Sequence, residues 1–145
     1  MLFRSKHPEK PDTQNSEVYG KYLATIAGCV ECHTPMVKGK PVWEEAYSGG
    51  REFLLPGGVV TTANLTPDKE TGIGNWTEEM FINRFKAFAD SSYIPHDVNI
   101  ESEFNTLMPW TLYAGMDAAD LKAIYAYLKT LEPRKRQITL FAPRK

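Results

Sequence analysis

Cys29-Val30-Glu31-Cys32-His33 is the run that leaves this chain the fewest options. Its 2 cysteines are the whole complement of the 145 residues, and they lie too close together to staple distant parts of a fold. Two thiols three positions apart, at the end of a helix, can reach the two vinyl groups on one side of a porphyrin. The adjacent imidazole then lies under the ring, within reach of the iron. The spacing predicts one haem c, attached through Cys29 and Cys32 and ligated by His33. A redox disulfide would want a strand–helix–strand setting, but here a helical pattern precedes the pair. A structural zinc would need about four ligands. Cys29, Cys32, His33 and His96 supply that number formally, with the His33 ring awkwardly close.

The bulk numbers fit one ordinary domain. Hydrophobic residues make up 42% of the chain and charged residues 24%, with a formal net charge of −1. A nucleic-acid binder usually carries a strong basic excess, so that class is excluded. The 12% aromatic content suits either a packed core or the wall of a large flat cofactor. No apolar run approaches the roughly 18–20 residues needed to cross a bilayer.

Along the chain, residues 1–15 read as a loose polar arm, with His7 exposed in it. A domain is expected over 16–133, followed by a basic tail over 134–145. Val18, Tyr19, Tyr22, Leu23 and Ile26 recur at helical spacing, with Gly28 as the stop. Glu52–Leu55 and Val59–Thr62 flank Pro56-Gly57-Gly58 and predict a small hairpin. Thr77 is a predicted N-cap, with Glu78 and Glu79 behind it and a Phe81, Phe85, Phe88 stripe following. Glu103–Leu107 and Trp110–Ala114 read as short helical pieces. Asp117 is placed to start a last helix, from about Ala118 to Leu131, with Pro133 beyond its end. The class is therefore all-α: three main helices, short helical turns and one small hairpin, joined by loops long enough to need a cofactor to hold them.

An N-terminal helix running into CVECH, a much later Met, and a closing helix with AIYAYL (123–128) resemble a class I c-type cytochrome, the cytochrome c fold. TANLTPDKETGIGNWTEEMF (62–81) and LMPWTLYAGMDAADLKAIYAYLKTL (107–131) are similar to the haem subunits and domains that serve bacterial periplasmic or membrane-bound dehydrogenases. The resemblance implies that Met108, in a Met-Pro pair, gives the iron its second axial ligand. Met1 is terminal, Met36 is too near His33, and Met80 opens a helix. Met116, just before Asp117, is the main rival, and often such a residue merely fills core space. His96 would instead give two imidazole ligands. His/Met ligation raises the reduction potential of such a haem.

The resemblance also puts Asn64 and Trp76 near the haem edge as propionate donors, with Tyr47, Arg51 and Arg84 as further candidates. Pro41 is a candidate to offer its carbonyl to the free nitrogen of His33. Gly20 and Leu23 are expected to meet Tyr125 and Leu128 where the first and last helices cross. Arg134, Lys135, Arg136, Arg144 and Lys145 give the tail five cations, suited to an acidic partner or a membrane surface.

Two axial protein ligands leave no open coordination site, so the expected function is single-electron transfer without substrate chemistry. Electrons would come from a dehydrogenase or quinol-linked complex and leave to an acceptor or oxidase. The alternatives are a haem sensor or peroxidase-like enzyme with a labile sixth ligand, and a zinc-stabilised interaction module. Thioether attachment is normally completed beyond the cytoplasmic membrane. The expected location is therefore periplasmic or externally facing, with an export signal or membrane anchor outside this sequence. MLFRSKHPEKP (1–11) has no apolar signal core. Oligomeric state is left open.

Overall fold

The computed structural model describes residues 11–89, 93 and 97–144. His7 and His96 lie outside the described residues. Helix α1 is Ser16–Ile26 and begins where Asn15 Oδ1 accepts the amides of Glu17 and Val18. Those two amides have no carbonyl partner inside the helix, which is why a short polar side chain sits there. Gly28 ends the helical run in the left-handed region, at φ 70°, and the chain turns at once into the four-residue helix α2, Cys29–Cys32. Helix α3 is Glu78–Lys86, capped by Thr77 Oγ1, which accepts the Met80 amide. Helix α4 is the single turn Trp110–Tyr113, and α5 is Ala118–Thr130.

The core lies where α1, α3 and α5 meet. Leu128 is fully buried in a cluster with Leu23, Ile73, Phe81 and Ile124, and Leu121 is also fully buried. Each buried leucine contributes about 2 kcal/mol. Gly20 fixes the α1–α5 crossing, because a Cβ there would stand 1.8 Å from the Ala123 carbonyl oxygen. The two backbones therefore touch directly. Tyr125, expected at this crossing, turns instead to Phe81, 5.6 Å between ring centres, and gives its hydroxyl to the Trp76 carbonyl at 2.7 Å.

Three expectations need correction. Glu103–Leu107 forms no helix. The expected hairpin forms, with Glu52–Leu55 paired antiparallel to Gly58–Thr61, but it does not stand alone: a third strand extends it, and a second small sheet forms besides. Strands β1 (Met36–Val37) and β2 (Lys40–Pro41) make that separate sheet. Strands β3 (Glu52–Leu55), β4 (Gly58–Thr61) and β5 (Phe141–Pro143) make the extended hairpin, in that order.

Strand β5 is also the third correction, since the basic segment does not trail. It runs back across the molecule and pairs Val60 with Phe141. Three of its cations are paired on the way: Arg134 with Glu132, Lys135 with Glu70, and Arg136 with Glu45 and the Ser48 hydroxyl, while Lys145 lies outside the described residues. Among the described residues, no helix is long and apolar enough to cross a membrane.

Candidate haem-binding site

The left-handed bend at Gly28 sets Cys29 and Cys32 on one short helical turn, with His33 closing it through its amide to the Cys29 carbonyl at 2.9 Å. Both thiols are free; Cys29 is half-buried and Cys32 exposed. Burial pushes the Cys29 thiol up to about 11, so it is protonated at neutral pH. Among the described residues, no three His, Cys, Asp or Glu side chains converge on a point that would hold a metal ion. The fourth ligand of the zinc reading, His96, lies outside the described residues.

His33 is oriented by Ala63, not by Pro41. Its Nδ1 lies 2.7 Å from the Ala63 carbonyl oxygen, and Gly49 N donates to the His33 carbonyl at 2.8 Å. Burial lowers the affinity of the ring for a second proton, and the Ala63 carbonyl opposes that only in part. The ring is then neutral, with Nδ1–H donating to Ala63 and the Nε2 lone pair left over. That is the form of imidazole that binds iron. A backbone carbonyl can come from any residue, so the sequence held no signal for Ala63.

Cys29 shares a narrow apolar crevice with Ala27, Phe85, Met108, Tyr113, Met116 and Ile124. Both candidate thioethers therefore stand beside a porphyrin-binding thiol. Tyr113 reaches from α4 to the turn before Cys29, donating its hydroxyl to the Ala27 carbonyl at 2.5 Å. A larger, shallow depression along Asp12, Gln14 to Glu17 and Ala126 has no thiol, imidazole or thioether in its walls.

The expected propionate donors divide. Asn64 is buried, and its amide is spent inside the protein. It donates to Thr71 Oγ1 at 3.1 Å and to the Arg134 carbonyl at 2.7 Å, and accepts from the Thr66 amide and hydroxyl. It ties the returning C-terminal segment to the loop after β4. Trp76 is half-buried against the core, and its carbonyl, not its indole, receives Tyr125. Arg51 donates to the Glu31 carbonyl at 2.5 Å and lies 5.0 Å over the Phe53 ring. Arg84 lies 4.6 Å over Trp110. Tyr47 is buried edge-on to Tyr127, and its hydroxyl titrates far above the ordinary tyrosine range because of that burial.

A Cys-x-x-Cys-His turn with a neutral, backbone-anchored imidazole, next to an apolar crevice edged by thioethers, defines a protein that carries haem covalently. The chain belongs to the Cytochrome c family, whose sequence profile matches residues 18–132. Its cofactor is accordingly a covalently bound haem c, and the donor set just described fits that group. It is 34% identical over 109 residues to the gluconate 2-dehydrogenase cytochrome c subunit of Pantoea cypripedii, covering 74% of this chain and 21% of that subunit. It is 32% identical over 111 residues to the cytochrome c subunit of alcohol dehydrogenase (quinone) from Gluconobacter oxydans (strain 621H), covering 74% and 20%. A diheme cytochrome c-type of Cereibacter sphaeroides is 30% identical over 119 residues, covering 81% and 36%. The chain spans about a fifth of the length of the two dehydrogenase subunits.

Proposed function

We propose that this chain is a single-electron carrier in which His33 and Met108 would hold the haem iron, and that a dehydrogenase supplies its electrons. When bound, the haem supplies a one-electron couple. The protein's part is to orient, bury and insulate. Ala63 holds the His33 ring in one tautomer, leaving Nε2 as the ligand atom. Met108 supplies a thioether from the crevice wall that it shares with Cys29. A sulfur ligand favours the reduced iron and raises the potential. With both axial positions filled, no substrate atom has a place to bind, and the chain acts as a carrier subunit or domain with no catalysis of its own. The Trp76 indole and the Arg51 guanidinium are the donors offered to the propionates. Asn64 acts one step removed, by fixing Thr66 and Thr71.

The donor follows from the relatives' printed names, which are cytochrome subunits of dehydrogenases. The compartment follows from the thioether chemistry and is periplasmic or externally facing. The single observation carrying this reading is that Met108 and Cys29 line one crevice, on the Cys29–Cys32 turn that His33, anchored to the Ala63 carbonyl, closes.

The test is the absorption spectrum of matured wild-type protein beside Met108→Ala. Wild type is expected to show the sulfur-to-iron charge-transfer band. The variant is expected to lose it, and its reduction potential is expected to fall. Retention of the band in Met108→Ala would move the ligand to Met116.

A further inference from the structure

We propose that Lys86 is a positioning residue for the iron's sulfur ligand, a role that rests on the thioether ligation proposed above. Lys86 is the last residue of α3. Its Nζ donates to the Ala114 carbonyl at 3.0 Å and to the Met116 carbonyl. These two carbonyls fall in the break between α4 and α5, and among the described residues no backbone amide donates to either. Helix ends leave such acceptors without partners, and a half-buried one without a donor is costly. One ammonium satisfies both.

What Lys86 holds is a body that includes Met108. The Trp110 amide donates to the Met108 carbonyl at 2.8 Å, and the Leu112 and Tyr113 amides both donate to the Pro109 carbonyl at 3.1 Å. The Met116 amide then donates to the Tyr113 carbonyl at 3.0 Å. Residues 108–116 are therefore linked from end to end by their own backbone. Residues 101–107, which lead into this body, are all exposed, and what they give Met108 is the Thr106 hydroxyl accepting its amide at 3.1 Å. Its anchors come from elsewhere: Lys86 at its far end, the Arg84 guanidinium over Trp110, and the Tyr113 hydroxyl on Ala27. Among them only Lys86 neutralises orphan carbonyls with a charge, and apolar packing offers no substitute for that. The lysine is not itself part of the crevice lining, and its one bond to a lining residue is to the Met116 backbone carbonyl. It acts through the backbone that carries the sulfur.

The experiment compares matured wild type, Lys86→Leu, Lys86→Gln, Lys86→Arg and Met108→Ala. The readouts are the sulfur-to-iron band and the rate at which carbon monoxide binds the reduced protein, at a temperature where circular dichroism reports a fully folded chain. Lys86→Leu is expected to weaken the band and speed carbon monoxide binding about tenfold, with Lys86→Gln in between. Lys86→Arg is expected to restore both. Wild-type band and rate in the Leu and Gln variants would overturn the proposal. So would failure of both to mature while the Arg variant matures normally, since Lys86 would then serve folding alone. A wild type without the band would sink the thioether ligation itself, and this inference with it. A band that survives in Met108→Ala moves the ligand to Met116 and leaves the Lys86 comparison standing, because Lys86 holds Met116's own carbonyl.

Discussion

The two sides of the crevice are built by different means. On the imidazole side, backbone does the holding: Ala63 and Gly49 bond His33, and Gly20 lies against Ala123 with no side chain between. On the thioether side, Met108 follows an exposed loop, and its segment is kept in place by side chains: Lys86, Arg84 and Tyr113, with Phe85 and Phe88 packed on Trp110. Backbone contacts are available in one geometry only. Long side chains reach their targets in several. With the ligands proposed above, the comparison teaches that the imidazole would be set by the fold and the thioether by substitutable residues, so potential and ligand lability could be retuned on the second side without endangering the first.

The largest expected effect tests the rigid side. Gly20→Val places carbon atoms inside the Ala123 carbonyl and forces α1 from α5, at a cost of about 3 kcal/mol or more in denaturant unfolding. A loss below about 1 kcal/mol would show that the crossing yields, and the contrast would fail. Tyr113→Phe comes next, on the adjustable side. It leaves the Ala27 carbonyl without its donor at a cost of about 1 kcal/mol, and it is expected to weaken the sulfur-to-iron band more than its stability loss explains. An unchanged band would remove Tyr113 from the set of anchors.

The smallest effect concerns the turn after Asn64. Asp68 takes hydrogen bonds from the Thr71 hydroxyl, the Thr71 amide and the Glu70 amide, which hold its carboxyl below the ordinary aspartate value of 3.8. The folded value is depressed, so the stabilisation is full above the ordinary range and fades as pH falls through the lower folded value. Asp68→Asn is therefore expected to be less stable than wild type near pH 7, with the gap closing in acid. A gap of the same size at both pH values, measured by urea unfolding, would show that the charge plays no part in the turn.

Much of this arrangement was legible in the residues. Covalent haem chemistry needs its ligand atoms at fixed spacing, so CVECH located Cys29, Cys32 and His33 directly. Helical periodicity marked α1, α3 and α5 because each buries one stripe, and Gly28 and Thr77 marked ends through their own conformational and capping chemistry. Backbone and long-range partners were hidden. Ala63 is invisible as the support of His33, since its side chain plays no part. Asn64 read as a haem donor, but its partners Thr66, Thr71 and Arg134 are assembled only when the C-terminal segment returns. That return left a trace: Ile138-Thr139-Leu140-Phe141 has strand composition, although nothing local names β4 as its partner. Nothing in the sequence singles out Lys86, because its two carbonyl partners come from the break between α4 and α5, 28 and 30 residues away.

The contact at Gly20 also sets an order of events. Its two halves sit about a hundred residues apart in the chain, and a pairing that distant forms late, because the entropy of closing the intervening loop is lost before any contact rewards it. Until that pairing closes, the two sulfurs near the start have no finished wall over them. A maturation apparatus can thus load the pigment onto an open strand. Closure of the first helix on the last then seals in a group already tethered, which diffusion can no longer carry away.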